Sequence, residues 1–412
     1  MKVLYVTGAC LFRNTSANMS HNAYVRGLIE TGVDLDIIMA SDSWGESDSK
    51  FRKQTGARYF IYNSVSIPDR IRLRSRGLIN PQKSGTSNDA GTADEALRAR
   101  KGSVKVRLRR TFKRLFYSLF RPDPIYPLNR TWLKKARRFR SDVEYDLVVS
   151  NSSPAAGHRL VADLLDRKHV KARRWVQIWE DPWYYDLYGN HSDAILEEEH
   201  NLLREAREVL YVSPLTLHYQ KMYFPDCADK MGVIPLPAFL IGDPDRKPLS
   251  SPVSFGYFGD YYSHTRNLFP FYEALKETGS AGFIYGDSDL KLPSTSLVTV
   301  SPRVTLDVLE KVQDKTDVLV HLSNLRGGQI PGKIYHYSVT GKPILFILDG
   351  TEEEKSVLKE HFSQFDRYVF CDNTLDDIVK AMSLIGESAD YGCTPVSAFT
   401  PVNVVGQFLS NG

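Results

Sequence analysis

The sequence predicts an α/β protein of two Rossmann-like domains facing a cleft. Three observations lead there. Short apolar runs alternate with helical periodicities along most of the chain, as in strands joined by helices into a parallel sheet. The alternation stops at the Pro/Asp/Ser-rich stretch IGDPDRKPLSSP, 241–252, and then begins again. The chain of 412 residues suits two or three domains at roughly 100–200 residues each. We therefore read residues 1–240 as a first domain with a mobile or basic insertion at 68–130, and 241–395 as a second. Residues 396–412 add a short terminal helix.

The first domain opens on KVLYVTG, a strand rather than a signal peptide. The loop Gly8–Ser20 follows, then the helix HNAYVRGLIETG and the strand VDLDIIMA. Loops at the carboxyl ends of such strands are where open parallel sheets bind ligands. His21, Asn18 and Arg13 are the candidates there, against the plainer reading of a solvated loop or a cap. Ile61–Ser66 reads as another strand. From Trp132 the pattern resumes: helix WLKKARRF, strand YDLVVSNS, helix AGHRLVADLLDR, strand RWVQIWEDPW. A charged helix within Glu197–Arg207, the strand Val209–Val212 and the helix LTLHYQKMYF come next. Val233 to Pro237 reads as the last strand. Glu180 and Asp181 sit just past a strand, so they are candidate acid/base groups or ligands of an acceptor hydroxyl. Capping the next segment is the alternative.

Charge is localised. Arg98 to Arg140 holds 16 Lys/Arg and one acid, Asp123. Taking these from the chain's 53 basic and 49 acidic residues leaves 37 and 48, a net −11. Within this segment Leu108, Phe112, Leu115, Phe116, Leu119 and Phe120 fall on one helical face, with Arg110 and Lys113 among the residues around it. A basic amphipathic helix of this kind suits an anionic membrane surface. An ordinary surface helix is the other reading. Nucleic acid is not the expected partner, since no nucleic-acid-binding fold surrounds the patch. No apolar run reaches ~18 residues, so no membrane-spanning helix is expected. Cys10, Cys227, Cys371 and Cys393 lack metal-ligand spacing and read as free thiols. A cytoplasmic protein, peripheral at the inner membrane face, accommodates both features.

The second domain runs SFGYFGD, NLFPFYEALKETG, GFIYGD, LVTV, LDVLEKVQ, DVLVHLS, KIYHYSV, PILFILD, EEKSVLKEH, RYVFCD, LDDIVKAM: six strands with helices between most of them. The stretch Asp317–Asp349 is strand, Gly-rich loop, helix, strand. Its loop carries Gly327, Gly328, Gln329, Pro331 and Gly332, and Lys333 stands in the first helical turn. Bare backbone amides at a helix N-terminus beside a cation describe a phosphate or pyrophosphate site. Gly341 is expected to close the helix.

QIPGKIYHYSVTGKPIL resembles the donor-site motif of GT-B glycosyltransferases, especially the family 4 type of bacterial polysaccharide, capsule and O-antigen assembly. Pro331, Gly332, Lys333, Tyr337, Gly341 and Pro343 match its Pro-(Gly/Ser)-Lys-x-x-Glu-Tyr-x-x-x-Gly-x-Pro pattern, and His336 stands where the ribose-binding Glu is usual. The resemblance implies a GT-B architecture whose last helix returns to the first domain. It implies a nucleotide-sugar donor, a lipid-linked or polysaccharide acceptor, and retention of anomeric configuration. It places Arg266, after Gly259, with Lys333 at the diphosphate, and it places Gly286 and Arg303 at the base. Gly328, Gln329, Gly332 and His336 complete the donor list. Two fixed cations would neutralise the leaving diphosphate, so no metal or other cofactor is expected and the nucleotide sugar is substrate. A GT-B-type nucleotide-sugar epimerase, and a non-catalytic scaffold binding a glycan or partner, are the alternatives.

Overall fold

The computed structural model describes residues 1–13, 15–42, 51–64, 123–186, 189, 191–239, 248–387 and 394–410. The basic segment with Arg110, Phe112, Lys113, Phe116 and Phe120 lies outside them, as do Cys393 and most of the 241–252 stretch.

The first domain runs β1 (Lys2–Thr7), α1 (Ser16–Glu30), β2 (Asp34–Ala40), β3 (Ala57–Tyr62), α2 (Arg130–Ala136), β4 (Glu144–Tyr145), β5 (Leu147–Asn151) and α3 (Ala156–Asp166). It continues with β6 (Lys171–Ala172), β7 (Trp175–Trp179), α4 (Asp193–Glu205), β8 (Glu208–Tyr211), α5 (Pro214–Tyr223) and β9 (Met231–Val233). Its main sheet has the order β3-β2-β1-β5-β7-β8-β9. Every pairing is parallel, and β4 and β6 form a separate two-stranded ladder. Strands β5 and β7 are buried along their whole length. That is why they read as mostly apolar runs rather than strictly alternating ones.

The second domain runs β10 (Ser254–Phe258), α6 (Phe269–Thr278), β11 (Ala281–Tyr285), β12 (Val298–Ser301), α7 (Leu306–Lys315), β13 (Val318–Leu322), α8 (Lys333–Ser338), β14 (Ile344–Leu348), α9 (Glu352–Ser363), β15 (Tyr368–Asp372) and α10 (Leu375–Glu387). The sheet order is β12-β11-β10-β13-β14-β15, again parallel. The order reverses at β10/β13, the switch point where such sheets open a crevice. A last helix, α11 (Pro401–Leu409), packs on α1 of the first domain. A Cβ at Gly27 would stand 2.3 Å from the Pro401 carbonyl oxygen, so only glycine allows that approach. Tyr24 meets Phe408 beside it.

Four local expectations are corrected. Helix α1 begins at Ser16, inside the expected loop, because Thr15 Oγ1 accepts the Asn18 N–H and caps it. Asn18 and His21 are therefore helical. The third strand is Ala57–Tyr62 rather than Ile61–Ser66. The last strand of the first domain ends at Val233, since Pro235 and Pro237 have no N–H for a ladder. Helix α8 has six residues and stops at Ser338, well before Gly341.

The domains share buried surface. One apolar cluster runs from Tyr5 and Tyr24 through Leu236, Ile334 and Tyr335 to Phe346 and Phe408. Among the described residues no helix is long and apolar enough to cross a membrane.

Candidate functional site

A cavity of about 950 Å³ lies between the carboxyl edges of the two sheets. Its first-domain wall includes Thr15, Ser20, Glu180 and Asp181. Its second-domain wall includes Gly259, Asp260, Arg266, Gly286, Arg303, Gly332, Lys333 and His336. The structure therefore brings nine of the expected site residues to one space. His21, Gly328 and Gln329 stand behind it or beside it.

The second-domain wall carries the cations Arg266, Lys333 and Arg303, with Asp260 among them. Arg266 follows β10, and its Nε is buried with no hydrogen-bond partner among the described residues. Lys333 opens α8. Burial, with Arg303 and Arg266 nearby and only Asp260 opposing, lowers its ammonium to about 8. It remains mostly charged at neutral pH. Arg303 is already engaged: its Nε donates to Asp260 Oδ1 at 2.8 Å, with a second bond from its guanidinium to Asp260 Oδ2. Asp287 Oδ1 accepts the Arg303 backbone N–H. Gly286 is required by close approach, because a Cβ there would lie 1.9 Å from the Gly259 carbonyl oxygen. That contact sets the backbone of both glycines at the cavity rim.

The Gly-rich loop differs from the expected bare anion nest. Several of its polar groups are taken by protein. Gly327 N–H donates to Glu354 Oε1 at 2.9 Å. The Gly328 carbonyl accepts from Ser213 Oγ at 2.6 Å and Thr216 Oγ1 at 2.8 Å, both in the first domain. Gln329 Nε2 donates to Asp181 Oδ1 at 2.8 Å. The loop is thus a latch between domains. With α8 only six residues long, the positive field of this wall comes chiefly from Arg266 and Lys333.

The first-domain wall is acidic and buried. Glu180 is pushed well above the usual carboxyl range by burial and by the charge of Asp181. Its proton is held more tightly than that of an ordinary carboxyl. Asp181 is raised to about 6, by burial first and Asp186 second, while the Gln329 bond opposes the shift. Behind Glu180 lies His21, fully buried, its Nε2 3.9 Å from Glu180 Oε1. Burial lowers His21 to about 4, so its neutral imidazole does not form an ion pair with Glu180. Asn151 Nδ2 donates to the Tyr5 hydroxyl at 2.9 Å, and that hydroxyl meets His21 Nδ1 at 2.7 Å. Tyr5, held neutral by burial, donates there, which leaves the imidazole proton on Nε2, facing Glu180.

His336 lines the cavity, and its Nδ1 is buried without a partner among the described residues. Burial and the Lys333 charge lower its imidazole to about 4. His336 is therefore neutral throughout the ordinary range. Sequence reasoning missed Tyr5, Asn151, Asp260 and His321. A polar residue inside an apolar strand, as in VLVHL, was the available signal for the last.

No family model matches this sequence, and no curated protein does. Solved structures match its fold. A structure of trehalose-6-phosphate from E. coli bound with UDP-2-fluoro glucose superposes with TM-score 0.52 at 10% identity, covering 98% of this chain and 95% of that one. A glycosyltransferase from Rickettsia africae ESF-5 gives 0.50 at 12% identity over 99% and 96%. A UDP-N-acetylglucosamine 2-epimerase gives 0.50 at 9% over 99% and 94%. The fold is GT-B: two Rossmann-like domains with the ligand cleft between them.

Proposed function

We propose that this chain is a GT-B glycosyltransferase. It moves a sugar from a nucleotide-sugar donor to a lipid-linked or polysaccharide acceptor. One observation carries the reading. A single cavity has two cations on one wall and two proton-shifted carboxyls on the other. Arg266 and Lys333 hold the diphosphate and stabilise the charge that develops on it as the glycosidic bond breaks. This needs no metal, and turnover should survive a chelator. Asp181, a carboxylate above about 6, accepts the hydrogen bond of the acceptor hydroxyl. Glu180 keeps its proton and orients the same group, with His21 buttressing it from behind. Gly259, Gly286 and Arg303 frame the nucleotide, and His336 meets its ribose or phosphate. Gly328 and Gln329 act through domain closure.

The finer assignments rest on the motif at 331–343 and on the basic segment at 98–140. They are family 4 type chemistry with retention, a polysaccharide-assembly acceptor, and docking on the anionic cytoplasmic face through Phe112, Phe116, Phe120, Arg110 and Lys113. Incubation with UDP-, GDP-, TDP- and CMP-sugars, with and without membrane extract, tests the core claim. Release of free nucleotide from one donor is expected, and none from any donor would overturn it. The anomeric proton coupling of the product tests retention.

A second reading is a nucleotide-sugar epimerase. The fold of a UDP-N-acetylglucosamine 2-epimerase covers nearly the whole chain, and paired carboxyls suit proton abstraction. Solvent deuterium entering the sugar of an intact donor, without acceptor, would select it.

A further inference from the structure

We infer that His321 belongs to the donor site, where its neutral imidazole donates an N–H to a phosphate oxygen of the diphosphate held by Arg266 and Lys333. The inference rests on the nucleotide-sugar reading and deepens it. His321 sits in β13, between Val320 and Leu322, at the sheet's switch point. It is 2% exposed and lines the cavity. Its ring edge packs on Phe346, with centroids 4.5 Å apart and planes at 82°. Its Nε2 is buried without a hydrogen-bond partner among the described residues.

Two other buried histidines, His21 and His158, also carry an Nε2 without a partner among the described residues, but each makes one bond through Nδ1. His21 Nδ1 meets the Tyr5 hydroxyl at 2.7 Å, and His158 Nδ1 meets Ser150 Oγ at 2.7 Å. A polar ring buried in an otherwise apolar strand costs stability unless its hydrogen bonds are made. His321 retains that cost in the free protein, and a ligand in the cavity removes it. Arg266 Nε and His336 Nδ1 are likewise buried without partners on the same cavity. Three buried nitrogens without partners among the described residues, from β13, α8 and the loop after β10, thus belong to residues that line one space. Burial and the Arg266 charge keep His321 uncharged, near 3. It therefore adds a directed hydrogen bond rather than a third charge. An anion accepts such a bond more strongly than a neutral group does.

Isothermal titration with UDP, GDP and inorganic pyrophosphate at pH 7.5, together with thermal unfolding of the free protein, tests this. His321→Phe keeps a ring against Phe346 and removes the unmatched nitrogens. Its Tm should equal or exceed that of the wild type, while its affinity for the diphosphate that the wild type binds falls roughly 10- to 100-fold. If His321→Phe does not fold, His321→Leu carries the same measurement with more room. Wild-type affinity within twofold in the folded variant overturns the role of His321 and leaves the donor site standing. A wild type that binds none of the three ligands overturns both.

Discussion

The two walls of the cleft treat charge in opposite ways. On the second domain, Arg266 and Lys333 stand at the cavity, and the buried Arg266 Nε has no partner among the described residues. On the first, Glu180 and Asp181 are buried until their protons are held more tightly. A cation at a cavity that excludes part of its water is a strong site for an anion, because the site need not reorganise when charge arrives. A carboxyl moved toward neutrality is instead suited to exchange or share a proton. The division follows from construction. Short loops after β10 and β13 carry the cations, whereas the carboxyls follow β7 and rest on a chain of buried hydrogen bonds, Asn151–Tyr5–His21.

Removing one wall's charge should produce the largest effect. Arg266→Ala and Lys333→Ala should each lower kcat/KM about 100-fold or more, with unfolding midpoints near wild type. Steady-state kinetics on the active donor reads this, and unchanged turnover in either variant removes that residue from the donor wall. Distorting the second wall without touching a charge comes next. Gly286→Ala should destabilise the protein by about 1–3 kcal/mol, because its Cβ collides with the Gly259 backbone. Urea unfolding measures it, and a wild-type midpoint would show that the strands part at no cost.

A pH profile separates the walls in one experiment. Asp181 must be ionised, so kcat/KM should rise with pH through about 6. Lys333 must be protonated, so kcat/KM should fall above about 8. Each limb changes roughly tenfold per pH unit beyond its midpoint. Lys333→Arg, charged at all these pH values, should lose the alkaline limb and keep the acid one. A smaller effect is expected where the walls touch. Gln329→Ala removes a bond that lowers Asp181, so the acid limb should move upward and cost a few-fold in rate near pH 6, with little change at pH 8. The smallest effect belongs to His336. Neutral above about 4, it should add no step of its own between pH 5.5 and 8, so donor affinity should follow the same pH profile in wild type and His336→Gln. A step in that window that His336→Gln removes would show that His336 reaches water in the free protein.

The sequence by itself determined the class of fold. Runs such as Leu147–Val149 and Ile344–Leu348 are apolar throughout because both faces of a parallel sheet are covered, and that pattern is visible without coordinates. Helix ends were legible where capping is local, as at Gly279, left-handed after α6. They were misplaced where an unweighted cap or proline decided them, as at Thr15 and Pro235. Lys333, Arg266, Glu180 and Asp181 stood out by their places after strands. Only the tertiary structure decided that all four face one cavity, because residues far apart in the chain meet through the packing of two sheets. It also decided protonation, since the shifts at Asp181, Lys333 and His336 come from burial and from neighbours in other segments. It showed that the Gly-rich loop also latches onto Ser213, Thr216 and Asp181. Hydrogen bonds between segments have no signature in either segment alone. For the same reason His321 reads as one polar letter in an apolar strand until the cavity beside it is seen.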